Sequence, residues 1–304
     1  MNRIATLFSF ERSLDAMNER RAALGRAQLQ MSTGKRVNAP SDDPLGAAQA
    51  ERTRSQLARI ALERRMIDFA RTMLGQADNA MAGAGETLQV AREALVAAGN
   101  GALSVADRAL VAQKLRASRD ELLTIANLRD GAGGYVFGGQ GSTRAPFADT
   151  GAPAWLPNAG EQATGADVPF TTSQDGRTLF MDLEAGGTAQ SIFRTLDDAI
   201  GLLEDPAAGG AALGAGLGKA LDGVDRALER LLATRTRAGE QLRAIDARER
   251  LLDSGEIEAS GRLSDLLDVD YASAITRFQQ NQTALEAAMA TYAKVARLSL
   301  FDYL

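Results

Sequence analysis

Residues 60–98 read IALERRMIDFARTMLGQADNAMAGAGETLQVAREALVAA. Every seventh residue from the first is large and apolar: Ile60, Ile67, Leu74, Met81, Leu88 and Leu95. Three places after each come Glu63, Ala70, Ala77, Ala84, Ala91 and Ala98, so eleven of the twelve positions are apolar. A 3,4 repeat held over more than five heptads keeps one seam turned towards a partner helix, which is the pattern of a coiled coil. The alanine row lets that partner approach closely. Gly75, Gly83 and Gly85 weaken the helix locally but do not interrupt the period.

Working outward, a second seam runs through Leu217, Leu221, Val224, Leu228, Leu231, Arg235, Ala238, Leu242, Ile245, Glu249 and Leu252. A third helix is expected from about 104 to 127, opened by a capping box of Ser104 with Asp107. Both termini are seamed as well. Leu7, Phe10, Leu14, Met17, Leu24 and Met31 form one stripe, and Tyr271, Ile275, Phe278, Leu285, Met289 and Tyr292 the other. Chain ends usually fray; two matched amphipathic helices look built to pack, and they are the expected assembly seam.

The middle is different. Four of the seven prolines fall between 146 and 169. Tyr135-Val-Phe is a short strand signal, and 171–184 reads as a hairpin with Asp175-Gly176 at its turn. Residues 191–204 return to helix, and the Gly/Ala-rich 206–218 reads as a joint. The expected fold is mainly α: a long antiparallel coiled-coil rod formed by the N- and C-terminal segments, with a small β-rich insert. Its domains are 1–43 with 261–304 (terminal coiled coil), 44–134 with 191–260 (helical core) and 135–190 (insert).

Composition narrows the chemistry. Among 304 residues there is no histidine and no cysteine, which removes the commonest general base and the commonest metal ligand. A net charge of −5 gives no footprint for nucleic acid. No run of 18 apolar residues exists to span a membrane. The start, MNRIATLFSFERSLDAM, places Glu11, Arg12 and Asp15 where a secretory signal needs an apolar core, so any export is expected to read no Sec signal. GAGLGK at 214–219 fails as a phosphate loop, since Leu213 stands where the first Gly belongs and Ala220 replaces the Ser/Thr. No enzyme, cofactor or metal is expected.

Two features are candidates for function. The break STGKRVNAPSDDPLGAAQA, 32–50, separates two helices. Gly34 suits a helix C′ position, Pro40 forces Ala39 out of the α region, Ser41 or Asp43 can cap, and Pro44 suits N1. Asp42 and Asp43 also complement a positive helix end. Gly34, Pro40, Asp42, Asp43 and Pro44 are therefore read as a mechanical joint. TRTRAGE, 234–240, places Arg237 and Gly239 inside the late helix; the pair is either a solvated face or a subunit contact.

LQMSTGKRVNAPSDDPLGAAQA, VAREALVAAGNGALSVADRALVAQKLRASRDELLTIANLRDGAGGYVFGG, TRTRAGEQLRAIDA and DVDYASAITRFQQNQTALEAAMATYAKVARLSLFDYL together resemble the bacterial flagellin family. They cover about two-thirds of the chain in the family's order. The two prolines of the break, the Tyr135-Val-Phe-Gly-Gly segment and the Leu298-Ser-Leu-Phe-Asp-Tyr-Leu end resemble a hook–filament adaptor more than a filament subunit, flagellin itself being the alternative. The resemblance implies an extracellular structural subunit of the flagellum, exported by the type III apparatus. It implies self-assembly into a ring or helix, a hook-associated neighbour on one side, flagellin on the other, and a cytosolic export chaperone. It also implies concentric helical layers, with the 34–43 break as the joint between them.

Overall fold

The computed structural model describes residues 2–100, 103–141, 143–149, 154–155, 160–165, 168–185 and 188–301, with side chains in all of these except 2–10, 154, 184–185, 188–189 and 295–301. The chain divides into two compact units, 1–61 with 253–304 and 62–252. Two long helices, α2 (Pro44–Ala98) and α6 (Gly210–Leu267), contribute to both.

In the 62–252 unit the heptad seam is the core. Ile67, Leu74, Met81, Leu88 and Leu95 are buried, and so are Ala70, Ala77, Ala84, Ala91 and Ala98. On α6, Leu217, Val224, Leu231, Ala238, Ile245 and Leu252 form the matching buried row. Ion pairs along the flanks set the direction. Arg92 pairs with Asp225 at 2.7 Å, Asp78 with Arg235 at 2.9 Å, Arg71 with Asp246 at 2.7 Å, and Glu63 with Arg248 at 2.6 Å. Partner numbers rise as those on α2 fall, so the helices are antiparallel. Glu63, the one charged residue of the seam, is thus neutralised in place rather than left bare.

A third row on α2, Met73, Ala80, Thr87 and Ala94, is also buried. A two-helix seam needs only two rows, so this one marks where further elements pack. One is α3 (Val105–Ala126), whose Ile125 lies 3.7 Å from where a Cβ on Gly83 would sit. The Ser104–Asp107 capping box opens α3. Helix α3 lies antiparallel against α5 (Ile192–Glu204), with Arg116–Glu204 at 2.7 Å and Arg119–Asp197 at 3.1 Å, a partner the sequence did not single out.

The expected joint at 206–218 is shortened to 206–209, because α6 is already helical from Gly210. Two of its glycines serve close packing: a Cβ on Gly216 would collide with Leu202 of α5, and one on Gly223 would meet Thr195 at 2.7 Å, whereas Gly214 and Gly218 face open space.

Among the described residues the insert contains three two-stranded antiparallel ribbons: β1 (Phe147–Ala148) with β2 (Ala154–Trp155), β3 (Gln162–Ala163) with β4 (Thr171–Ser173), and β5 (Leu183–Ala185) with β6 (Thr188–Gln190). The expected 171–184 hairpin does not form. Asp175 instead caps a short helix, α4 (Gly176–Phe180), by accepting from Arg177 N–H at 3.0 Å. Gly176 is there because a Cβ would meet Phe137 O at 2.7 Å and the Trp155 ring at 2.6 Å. Tyr135-Val-Phe is not a strand either; Tyr135 makes a single bridge to Arg129. Phe137, Phe147, Trp155 and Phe180 pack edge to face around one centre, and Phe193 lies tilted against Phe147 and Phe180. Arg119 ties the insert down, reaching Asp149 at 2.7 Å as well as Asp197. Gln241 of α6 and Thr171 exchange two hydrogen bonds, at 3.0 and 3.1 Å.

In the other unit, α1 (Asn2–Thr33) packs along α7 (Tyr271–Phe301). Ile60 lies 3.7 Å from where a Cβ on Gly255 would sit. Val37, Ala50 and Leu267 form a small buried cluster with Ala47, Leu263 and Leu266 packed on it.

Candidate functional site

The break between α1 and α2 is half of a two-stranded joint. Gly34 ends α1 with φ +68°, a left-handed conformation that a Cβ disfavours. Its carbonyl accepts from Val269 N–H at 2.9 Å, and Arg36 N–H donates to Leu267 O at 2.6 Å. Lys35 and Asp268 face each other between these bonds as an antiparallel bridge. The short link 268–270 between α6 and α7 is thus the second strand.

Three carboxylates hold the turns. Asp42 accepts from the N–H groups of Asn38 and Ala39, at 3.0 and 2.9 Å, closing the turn around Pro40. Asp43, not Ser41, caps α2 by accepting from Gly46 N–H at 2.8 Å, and Pro44 follows at N1. That bond, aided by the Arg36 guanidinium at 3.2 Å, holds the Asp43 carboxyl below the usual carboxylate range. A Cβ on Gly46 would strike this carboxylate. Asp270 does the same work for α7, accepting from Ala272 N–H at 3.0 Å and Ser273 Oγ at 2.7 Å, and the Ser273 bonds lower its pKa. Arg36 ties the strands together, since its other nitrogen donates to Leu266 O at 2.8 Å. Each of these carboxylates is engaged with backbone, hydroxyl or guanidinium groups. Among the described residues no group of three potential ligands is arranged for a metal ion.

Arg36, Gly46 and 268–270 were not singled out from the sequence. A signal for the last was present: Asp270 with Ser273 three places on, following a seam, is an N-cap pattern. Nothing in the sequence marks Arg36.

The terminal seam residues sit on α1 and α7, but the two helices do not cover them. Met17, Leu24, Met31, Phe278, Leu285 and Tyr292 are half-buried. Leu14, Tyr271, Ile275 and Met289 are exposed, and only Ala27 and Ala274 are buried among the described side chains of the two helices. The side chains of Leu7 and Phe10 lie outside the described residues.

Arg237 turns back along α6 to Thr234 Oγ1 at 3.0 Å. Gly239 has nothing of its own chain within 4 Å of a would-be Cβ and borders a notch of about 370 Å³ with Asp78, Leu232, Arg235, Thr236 and Arg243. A mid-helix glycine costs about 0.5–1 kcal/mol against alanine, and no close approach within the chain accounts for this one.

Residues 4–142 match the bacterial flagellin N-terminal helical region. The chain is 30% identical to flagellar hook-associated protein 3 of Escherichia coli, across 99% of both chains. It is 25% identical to flagellin of Bacillus subtilis, across 93% of this chain and 92% of that one. Among solved structures, a putative flagellar hook-associated protein from Vibrio parahaemolyticus superposes with a TM-score of 0.68 at 20% identity, over 75% of this chain and all of the other. That likeness speaks for the fold.

Proposed function

This chain belongs to the flagellar hook-associated protein 3 family, and from that premise we propose that it is the adaptor that joins the hook to the flagellin filament. It is a structural subunit of the bacterial flagellum, and its work is done by surfaces rather than by a reacting group. The observation that carries the adaptor reading is the full-length likeness at 30% to a hook-associated protein, against 25% over a shorter span to a filament subunit.

The terminal pair supports assembly. Its apolar seam is half-open in the single chain, and neighbouring copies packed around an axis would cover it, stabilising the helices by mass action. The domains are the terminal coiled coil (1–43 with 261–304), the helical core (44–134 with 191–260) and the 135–190 insert. The joint at Gly34, Pro40, Asp42, Asp43 and Pro44 is a mechanical link between α1 and α2. Its partners are further copies of itself, a hook-associated neighbour on the hook side and flagellin on the other. A cytosolic chaperone would cover the exposed stripe before type III export.

Deleting the gene and imaging the cells tests this. An adaptor leaves hooks without filaments while unpolymerised flagellin accumulates in the medium. Bare hooks with no flagellin in the medium would instead identify the chain as the filament subunit.

A further inference from the structure

Helix α6 carries an exposed row of Leu232, Thr236, Arg243 and the half-exposed Gly239, at i, i+4, i+7 and i+11 spacing that places them on one face. Leu232 is 59% exposed, and the space above Gly239 is open. Helix α3 carries a second exposed row with the same spacing: Leu110, Lys114, Ala117 and Glu121. Leu110 is 64% exposed. Neither Arg243 nor Glu121 is held in an ion pair among the described residues.

Side by side and parallel, the rows match in type at three of four levels. Leucine meets leucine, Ala117 meets the Gly239 notch, and Glu121 meets Arg243. At the remaining level Lys114 meets Thr236, whose hydroxyl donates along its own helix to Leu232 O at 2.9 Å and keeps lone pairs for an ammonium. Run antiparallel, the same rows would set Glu121 on Leu232 and Arg243 on Leu110, burying each charge against an apolar side chain.

We propose that the α6 row of one copy receives the α3 row of a second copy, parallel and in this register. The two faces belong to different elements of one chain, so the contact is heterologous. Each copy offers α6 to one neighbour and α3 to the next, and such a contact repeats into a ring or a helix rather than stopping at a dimer. The inference rests on the adaptor reading, which requires many identical subunits about one axis.

The chain has no cysteine, so engineered thiols are the only ones it carries. Full-length protein carrying Leu110→Cys and Leu232→Cys replaces the native chain in a deletion strain; flagella are isolated, mildly oxidised and run on a non-reducing gel. The expected result is a ladder of dimers, trimers and higher species, with each single variant staying monomeric. Dimers from Leu232→Cys alone would mean two α6 faces meet, and monomers from the double variant within flagella would mean the rows do not meet; either overturns the proposal. Failure of the unaltered chain to enter flagella at all would instead overturn the adaptor reading and the packing with it. Independently, Glu121→Arg and Arg243→Glu should each cut swimming severalfold and restore it in combination. A double swap no better than the singles refutes the register.

Discussion

Substituting Gly34 tests whether the joint is held by backbone conformation or by side-chain space. At φ +68° a residue with a Cβ is strained by roughly 1–2 kcal/mol, while asparagine tolerates the region better. A Cβ would also lie 3.1 Å from the Tyr271 hydroxyl, but that atom ends a side chain 52% exposed, free to swing aside at little cost. Backbone strain should therefore dominate, and Gly34→Ala should cost about 1–2 kcal/mol, Gly34→Asn less, and Gly34→Val more. The amides that report this are Val269 N–H and Arg36 N–H, which bond across the joint. A loss of 1–2 kcal/mol lowers their hydrogen-exchange protection by a factor of about 5–30, in the order Asn, Ala, Val. Equal losses for Asn and Ala, both relieved by Tyr271→Phe, would show that crowding by the hydroxyl sets the cost and would refute the backbone argument.

Leu88→Ala should cost about 3–5 kcal/mol, since Leu88 is fully buried between the rigid alanines 84 and 91 that cannot collapse into the space; urea melts of this variant and of Leu62→Ala, an exposed control expected within about 0.5 kcal/mol of the parent, check it. Arg119→Met strips a buried guanidinium from Asp149 and Asp197, and because both carboxylates are about a third or more exposed and can rehydrate, the loss should be about 2–3 kcal/mol, below the full range for a buried pair; a melt unchanged from the parent would contradict it. Acid titration should spare the fold down to roughly pH 5. The folded-state pKa values of Asp43, Asp149 and Asp270 are lowered, so their stabilisation is complete above the ordinary carboxylate value of about 4 and is lost as pH falls through the lower folded values; circular dichroism against pH shows the midpoint, and a transition near neutral pH would contradict the assignment. Asp43→Ala should weaken exchange protection at Gly46 N–H while Asp43→Ser, which keeps a capping oxygen, restores it.

Some of these arrangements were legible in the residue order alone. The α2–α6 seam was, because a seven-residue period is a local property: it names the buried face of a helix before anything is known of the partner. The capping box at Ser104 and the ends of α1 and α2 were legible for the same reason, since caps act over three or four residues. Glycine was where local reading failed. Gly34 was read as a positive-φ position and is one. Gly176 was read as a hairpin turn and Gly216 as part of a joint, yet Gly176 sits where Phe137 and Trp155 press in, and Gly216 where Leu202 does, from elsewhere in the chain. A glycine serves either conformational freedom or close approach, and only the atoms that surround it say which. The third buried row of α2 and the pairing of 34–36 with 267–269 were likewise beyond local reading. Both depend on which segments come to lie side by side, and side-chain period and cap chemistry carry no record of a neighbour beyond the next few turns.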